Sequence, residues 1–208
     1  MVNDIKVVFQ DIGSVLLTNG WDKNMRQNAS KVFGIEYDDV NERHHLIYSL
    51  YEEGRISLDE YVDRVFFYKK RFFSRKNFKD FMFKQSKPLP YMLKFMCALK
   101  KSYGLKIIAV SNEGRELNEY RIRKFRLDRL IDVFVSSSYL HIRKPDERIY
   151  RIALDISGVS PDQVVYIDDR EIFIEVAVRL GIHSILHLSY ESTRRKLADM
   201  GLLLRNAR

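Results

Sequence analysis

Three short runs of apolar, largely β-branched residues each stop abruptly on polar residues of the kind used in catalysis. They are Ile5–Phe9 before Gln10-Asp11, Leu105–Val110 before Ser111-Asn112, and Val164–Ile167 before Asp168-Asp169. Continuous Val/Ile-rich runs mark parallel strands covered on both faces, and open α/β sheets bind ligands in the crevice beyond the carboxyl ends of their strands. The pattern therefore predicts a doubly wound parallel α/β sheet that gathers Asp11, Ser111 and the Asp168-Asp169 pair at one crevice. A fourth element, Lys144-Pro145-Asp146, lies between the second and third runs ahead of a helical segment and offers a cation.

The 208 residues suffice for one well-buried α/β core plus a modest insertion, and are too few for two ordinary independent domains. A hydrophobic fraction of 46% and a charged fraction of 31% suit a water-exposed globular fold. No apolar run approaches the roughly twenty residues that span a bilayer, so no membrane-spanning segment is expected. Met1-Val2-Asn3-Asp4-Ile5-Lys6 runs almost directly into the first strand and leaves no room for a leader, which points to the cytoplasm. The single cysteine, Cys97, excludes an internal disulfide; among Met92, Leu93, Phe95, Met96 and Leu99 it reads as a buried small hydrophobe. The net charge of +8 invites a nucleic-acid partner. Its basic residues, however, at Lys69-Lys70-Arg71, Arg75-Lys76 and Arg121–Arg129, alternate with Phe, Tyr and Leu at helical spacing, the pattern of solvated helix faces. A positive field serves equally to attract a small anionic substrate.

Between about Thr18 and Lys87 the strand-type runs vanish and helical periodicity takes over, so residues 18–87 read as a helical cap inserted into a core made of 1–17 and 88–208. Lys23–Phe33 closes on Gly34. Asp38-Asp39 offers an N-cap for a helix over Val40–Glu53, and Ser57-Leu58-Asp59-Glu60 is a capping box opening a helix to about Lys70. Asn77–Gln85 forms a fourth helix, and the aromatic run Phe66-Phe67-Tyr68 with Phe72-Phe73 reads as the cap's own core ahead of the alternative, an exposed interface patch. Pro88 and Pro90 mark the return to the core, after which strands at 105–110, 131–136, 164–167 and 184–188 alternate with helices. No internal repeat or low-complexity stretch is present.

Four motifs in order carry a resemblance: Val7-Val8-Phe9-Gln10-Asp11-Ile12-Gly13-Ser14-Val15-Leu16, Val110-Ser111-Asn112, Arg143-Lys144-Pro145-Asp146, and Tyr166-Ile167-Asp168-Asp169-Arg170. Together they resemble the haloacid dehalogenase superfamily, in the branch whose helical cap follows the first strand. That resemblance implies a Rossmann-like core and a hydrolase, phosphatase-like and Mg²⁺-dependent, acting on a small phosphorylated metabolite. Asp11 would be the nucleophile that forms an aspartyl-phosphate. The Asp11 carboxylate, the Gly13 carbonyl and Asp169 would hold Mg²⁺, with Asp168 orienting them. Ser111 and the Asn112 backbone N–H would bind phosphate oxygens, and Lys144 would neutralise charge shared by Asp11 and the phosphate. The chemistry is coherent: a carboxylate must approach a dianion, which demands a hard cation and fixed positive groups. Trp21, where the chain leaves the core, either walls the substrate pocket or packs cap against core. His44, His45, His141, His183 and His187 lack metal-ligand spacing and read as structural or solvent-facing.

Two positions depart from the family's pattern. Its phosphatases place a second aspartate, the general acid, two residues after the nucleophile, where this chain has Gly13; Phe173 stands four residues after Asp169, where relatives commonly have a polar group. The resemblance thus implies slow hydrolysis of poor leaving groups. It also leaves two other functions in view: a non-catalytic binder of a phosphorylated ligand or partner, and a 2-haloacid dehalogenase, against which the Asp168-Asp169 pair argues because attack on carbon meets no dianion.

Overall fold

In the computed structural model of the chain, residues 4–204 are described; Met1–Asn3 of the short run ahead of the first strand lie outside them. Five strands, β1 (Val7–Gln10), β2 (Lys106–Ser111), β3 (Val133–Ser136), β4 (Val164–Asp168) and β5 (His183–Leu186), form a fully parallel sheet in the order β3-β2-β1-β4-β5. Four helices, α1 (Lys23–Phe33), α2 (Tyr37–Glu52), α3 (Leu58–Val65) and α4 (Arg75–Lys84), come after β1 and before the helix that leads into β2. Then follow α5 (Pro90–Tyr103), α6 (Arg115–Phe125), α7 (Ser137–Leu140), α8 (Glu147–Ser157), α9 (Glu171–Arg179) and α10 (Tyr190–Asp199).

Strand side chains alternate between faces, and here both faces are buried, which is why the runs are apolar without interruption. Val8, Ile107, Ala109, Val165 and Ile167 pack with Met92, Phe95, Met96 and Leu99 of α5 and Leu197 of α10. Val7, Phe9, Ile108, Val110, Val164 and Tyr166 pack with Ile149, Tyr150 and Ala153 of α8 and Val176 and Ala177 of α9. Cys97 is not in that core. It is exposed, because the periodicity of α5 gives the inward stripe to Met92, Phe95, Met96 and Leu99 and turns position 97 to solvent.

The first four helices have a third core of their own, built on Trp21, Val40, Tyr51, Tyr61, Phe66, Phe78 and Met82 and completed by Leu117 of α6. The capping box at Ser57 and Glu60 forms as expected, and Asp22 caps α1 by accepting from Met25 N at 2.9 Å. Two boundaries differ from the sequence expectation. Helix α2 begins at Tyr37, with Glu36 in the cap position making no side-chain cap and Asp38 and Asp39 inside the first turn, where carboxylates favour the helix dipole. Helix α3 ends at Val65 rather than near Lys70. The chain must turn there to bury Phe66, Phe67 and Phe73 around Phe78, and Phe72 is left fully exposed.

This helical layer sits against the carboxyl edge of the sheet. Ser137 Oγ donates to the Glu52 carbonyl at 2.6 Å, Leu58 N donates to Glu116 Oε1 at 2.9 Å, and the Tyr51 ring lies over Gly114. A Cβ at Gly114 would fall 2.1 Å from that ring, and Tyr51 is fully buried and stacked on Tyr61, so it has nowhere to go. Gly114→Ala is therefore expected to cost about 1–3 kcal/mol of stability through overpacking. An unchanged urea midpoint would contradict this packing.

Candidate active site

Strand β1 is central, flanked by β2 and β4, and the strand order reverses between β1 and β4. That reversal is where a doubly wound sheet opens a crevice. The pairing register sets Gln10 beside Ala109 and Ile167, so the three strands end nearly level. Asp11 follows at once, its N–H bonded to the Ile167 carbonyl at 2.9 Å, with Ser111 and Asp168 closing the neighbouring strands. Residues separated by 157 positions are thereby brought to one point. Carboxylate oxygens of Asp11, Asp168 and Asp169 lie within 4.8 Å of one another.

Lys144 enters this cluster from the loop before α8. Its ammonium, 1% exposed, lies 3.0 Å from Asp11 Oδ1, 2.6 Å from Asp168 Oδ2 and 3.1 Å from the Tyr166 hydroxyl. Asn112 holds the lysine backbone from both sides: its Nδ2 donates to the Lys144 carbonyl at 2.9 Å, and Lys144 N donates to its Oδ1 at 2.8 Å. Asp168 accepts from Lys144 and the Tyr166 hydroxyl on Oδ2 and from Arg170 N at 2.8 Å on Oδ1. Its carboxylate is occupied in anchoring the lysine. Asp11 and Asp169 each offer a carboxylate oxygen to the cluster and have fewer partners than Asp168 among the described residues. The Ser111 hydroxyl is buried with no partner.

The electrostatics follow from burial and crowding. Burial pushes the Asp11 carboxyl up to about 7, with Lys144 opposing and Asp168 reinforcing the shift. Asp169 is raised by burial and by Asp168. For Lys144 burial works against the charge, but Asp11 and Asp168 outweigh it and hold the ammonium protonated. Like charges crowded this closely favour a bound cation, and three carboxylates with the nearby Gly13 backbone form a donor set of hard oxygens of the kind Mg²⁺ takes.

The cluster opens into a cavity of about 370 Å³ lined by Asp11, Gly13, Ser111, Asn112, Lys144 and Asp169 on the sheet side. Trp21, Arg26, His44, Tyr48 and Glu52 wall the other side. Trp21 lines this cavity and is also a core residue of the helical layer, its Nε1 donating to the Tyr61 hydroxyl at 2.9 Å. Phe173 lies in the wall as well. Sequence reasoning did not select Arg26, Tyr48, Glu52, Glu113, Arg121 or Arg143, and it set His44 aside. Only Arg143 had a signal, its adjacency to Lys144; the others sit on helices whose facing is decided by packing.

Glu52 provides a pH handle. Its side chain is 11% exposed beside Arg143, whose Nη2 is 2.7 Å from Oε2. Burial outweighs that cation and raises its carboxyl from 4.5 to about 7. A raised folded-state value means the folded protein holds the proton more tightly than the unfolded chain. The stabilisation is complete at acid pH and disappears as pH rises through 7. Glu52→Gln should therefore gain on wild type by up to roughly 3 kcal/mol between pH 4.5 and 7.5 in urea unfolding. Asp11 titrates in the same window in both proteins and its charge is the smallest of the named contributions to the Glu52 shift, so the difference reports mainly Glu52, and parallel curves would refute the assignment.

Comparison with known proteins agrees with this geometry. The profile of the family described as haloacid dehalogenase-like hydrolase matches residues 1–187. A phosphorylated carbohydrates phosphatase of Thermotoga maritima is 32% identical over 134 residues, covering 64% of this chain and 57% of that protein. (S)-2-haloacid dehalogenase 4A of Burkholderia cepacia is 32% identical over 85 residues, covering 41% of this chain and 37% of that protein. The chain thus matches well under two thirds of the length of either relative. In fold it is similar to a haloacid dehalogenase family enzyme of Bacteroides thetaiotaomicron solved with magnesium and inorganic phosphate, with a TM-score of 0.73 at 22% identity over 87% of this chain and 93% of that one. With the family profile running from before β1 into the residue after β5, this chain belongs to the haloacid dehalogenase-like hydrolases.

Proposed function

We propose that the protein is a Mg²⁺-dependent phosphatase of a small phosphorylated metabolite, working through an aspartyl-phosphate on Asp11. The observation that carries this is the convergence of Asp11, Asp168 and Asp169 within 4.8 Å around the buried Lys144 ammonium. Asp11, Asp169 and the Gly13 carbonyl would hold Mg²⁺, leaving Asp168 to fix Lys144. The ion supplies charge neutralisation between a carboxylate and an incoming dianion. An Asp11 oxygen attacks phosphorus, the ester P–O bond breaks with its electron pair leaving on the alcohol oxygen, and water then hydrolyses the acyl phosphate to regenerate Asp11. The unpartnered Ser111 hydroxyl and the Asn112 N–H would take phosphate oxygens, and Lys144 would meet the negative charge that builds there. The helical segment 18–87 would act as the cap that keeps bulk water from the intermediate. The positive net charge suits an anionic small-molecule substrate, and a cytoplasmic location fits the single exposed thiol; no helix among the described residues is long and apolar enough to cross a membrane.

The test is phosphate release from para-nitrophenyl phosphate and a panel of sugar and nucleotide phosphates, with Mg²⁺ and again with EDTA. The aryl ester needs little acid assistance, so it suits a site with Gly13 at the general-acid position. EDTA-sensitive release is expected. Silence across the panel from folded, Mg²⁺-binding protein would replace the phosphatase with a non-catalytic phosphoryl-ligand binder. Metal-independent halide release from 2-chloropropionate would replace it with a dehalogenase.

A further inference from the structure

Three cationic side chains are buried among the described residues: Lys144, Arg121 and Arg26. Buried charges are normally paired, because an unpaired one forfeits its hydration without compensation. Lys144 has Asp11 and Asp168, and Arg121 has Glu113. Arg26, 6% exposed on α1, has no carboxylate partner. Its guanidinium makes two hydrogen bonds, both to neutral acceptors: Nη1 to the Trp21 carbonyl at 3.0 Å and Nη2 to Asn41 Oδ1 at 3.2 Å. Nε is buried with no partner. The acids in the same cavity wall are committed elsewhere. Asp11 faces Lys144, Glu113 faces Arg121, Glu52 faces Arg143, Asp169 lies 3.8 Å from Arg170, and Asp22 caps α1.

A second donor stands with it. The Trp21 indole can only donate, and it donates to the Tyr61 hydroxyl at 2.9 Å; that hydroxyl in turn lies 2.8 Å from His44 Nδ1. The hydroxyl has no other acceptor among the described residues, so its proton goes to Nδ1, which places the ring proton of neutral His44 on Nε2. His44 lines the cavity, and burial together with the Arg26 charge lowers its value to about 3, so it stays neutral at physiological pH.

We infer that Arg26, seconded by His44 Nε2–H, is the receptor for a second anionic group, a carboxylate, carried by the substrate away from its reacting phosphate. This rests on the phosphatase reading of the Asp11 end and names the class of ester it takes: a phosphate monoester of a hydroxy acid. The anion supplies the counterion that the fold withholds from Arg26, and charge-assisted hydrogen bonds of this kind are the strong ones. One cavity of about 370 Å³ contains both ends, which limits the substrate to a small molecule.

The test uses two phosphonates of similar size whose P–C bond the enzyme cannot hydrolyse, 3-phosphonopropionate and 3-methylbutylphosphonate, titrated calorimetrically in Mg²⁺. Wild type should bind the carboxylate-bearing probe at least about tenfold more tightly. Arg26→Gln should erase that preference, and Arg26→Lys should keep part of it. Equal affinities in wild type, a comparison that needs no variant to fold, would overturn the inference, as would a preference that survives in Arg26→Gln. Para-nitrophenyl phosphate, which has no second anion, reports on the Asp11 end alone. EDTA-sensitive turnover with equal probe affinities would overturn this inference and leave the phosphatase standing. Absent turnover with the preference intact would overturn the phosphatase and the ester class, and leave Arg26 as the carboxylate receptor of a binding site.

Discussion

Asp11→Asn is expected to lower phosphate release from para-nitrophenyl phosphate by a factor on the order of 10⁴, with thermal unfolding shifted by no more than a few degrees. Asparagine is isosteric and keeps an oxygen that can accept from Lys144 Nζ, which lies 3.0 Å from Asp11 Oδ1. Lys144 also retains Asp168 at 2.6 Å and the Tyr166 hydroxyl, so the buried ammonium is not orphaned. What disappears is the proposed nucleophile. An amide does not form a phosphoryl ester, and a variant that folded and still turned over at the wild-type rate would remove Asp11 from the reaction.

Gly13→Asp should act in the opposite direction and only on difficult substrates. The backbone at Gly13 is not in the left-handed region, so a side chain meets no conformational barrier there. A Cβ would come 3.2 Å from Asn19 Oδ1, the end of a side chain that can move by the few tenths of an ångström required. A carboxyl at this position could protonate a departing alkoxide, and general acids contribute about 10²–10⁴-fold. Hydrolysis of alkyl phosphates is expected to rise by about ten- to a hundredfold, while the aryl ester, whose leaving group needs no proton, changes little. Equal gains on both would mean that the substitution acts on binding and not on proton transfer.

The strands were legible because their constraint is local. A strand buried on both faces has no polar positions, and its apolar run ends where the chain meets the crevice, so Asp11, Ser111 and Asp168 could be placed from three such endings. The Ser57 cap was legible for the same reason, since its side chain bonds to backbone three residues ahead, whereas Asp38-Asp39 lie inside the first turn of the helix they were expected to cap. The end of α3 was not, because Val65 and Lys70 differ little in local preference and the turn is imposed by Phe66, Phe67 and Phe73 reaching Phe78. Cys97 failed similarly: its neighbours are apolar, but helical phase, not neighbourhood, decides which of them face inward.

The sequence by itself determined the parallel sheet, the order of its elements and the set of acids that meet at its edge, because each follows from periodicity and from where apolar runs stop. Only the tertiary structure divided the labour among those acids. Asp168 bonds to Lys144, Tyr166 and Arg170 N, while Asp11 meets Lys144 and Asp169 lies beside Arg170 at 3.8 Å. Tertiary structure alone also brought Arg26, His44 and Glu52 across to face them in one cavity. Those residues lie on helices whose own periodicity says only that they are polar; it is the docking of Tyr51 on Gly114 and of Ser137 on the Glu52 carbonyl that turns this face of the helical layer toward the sheet edge.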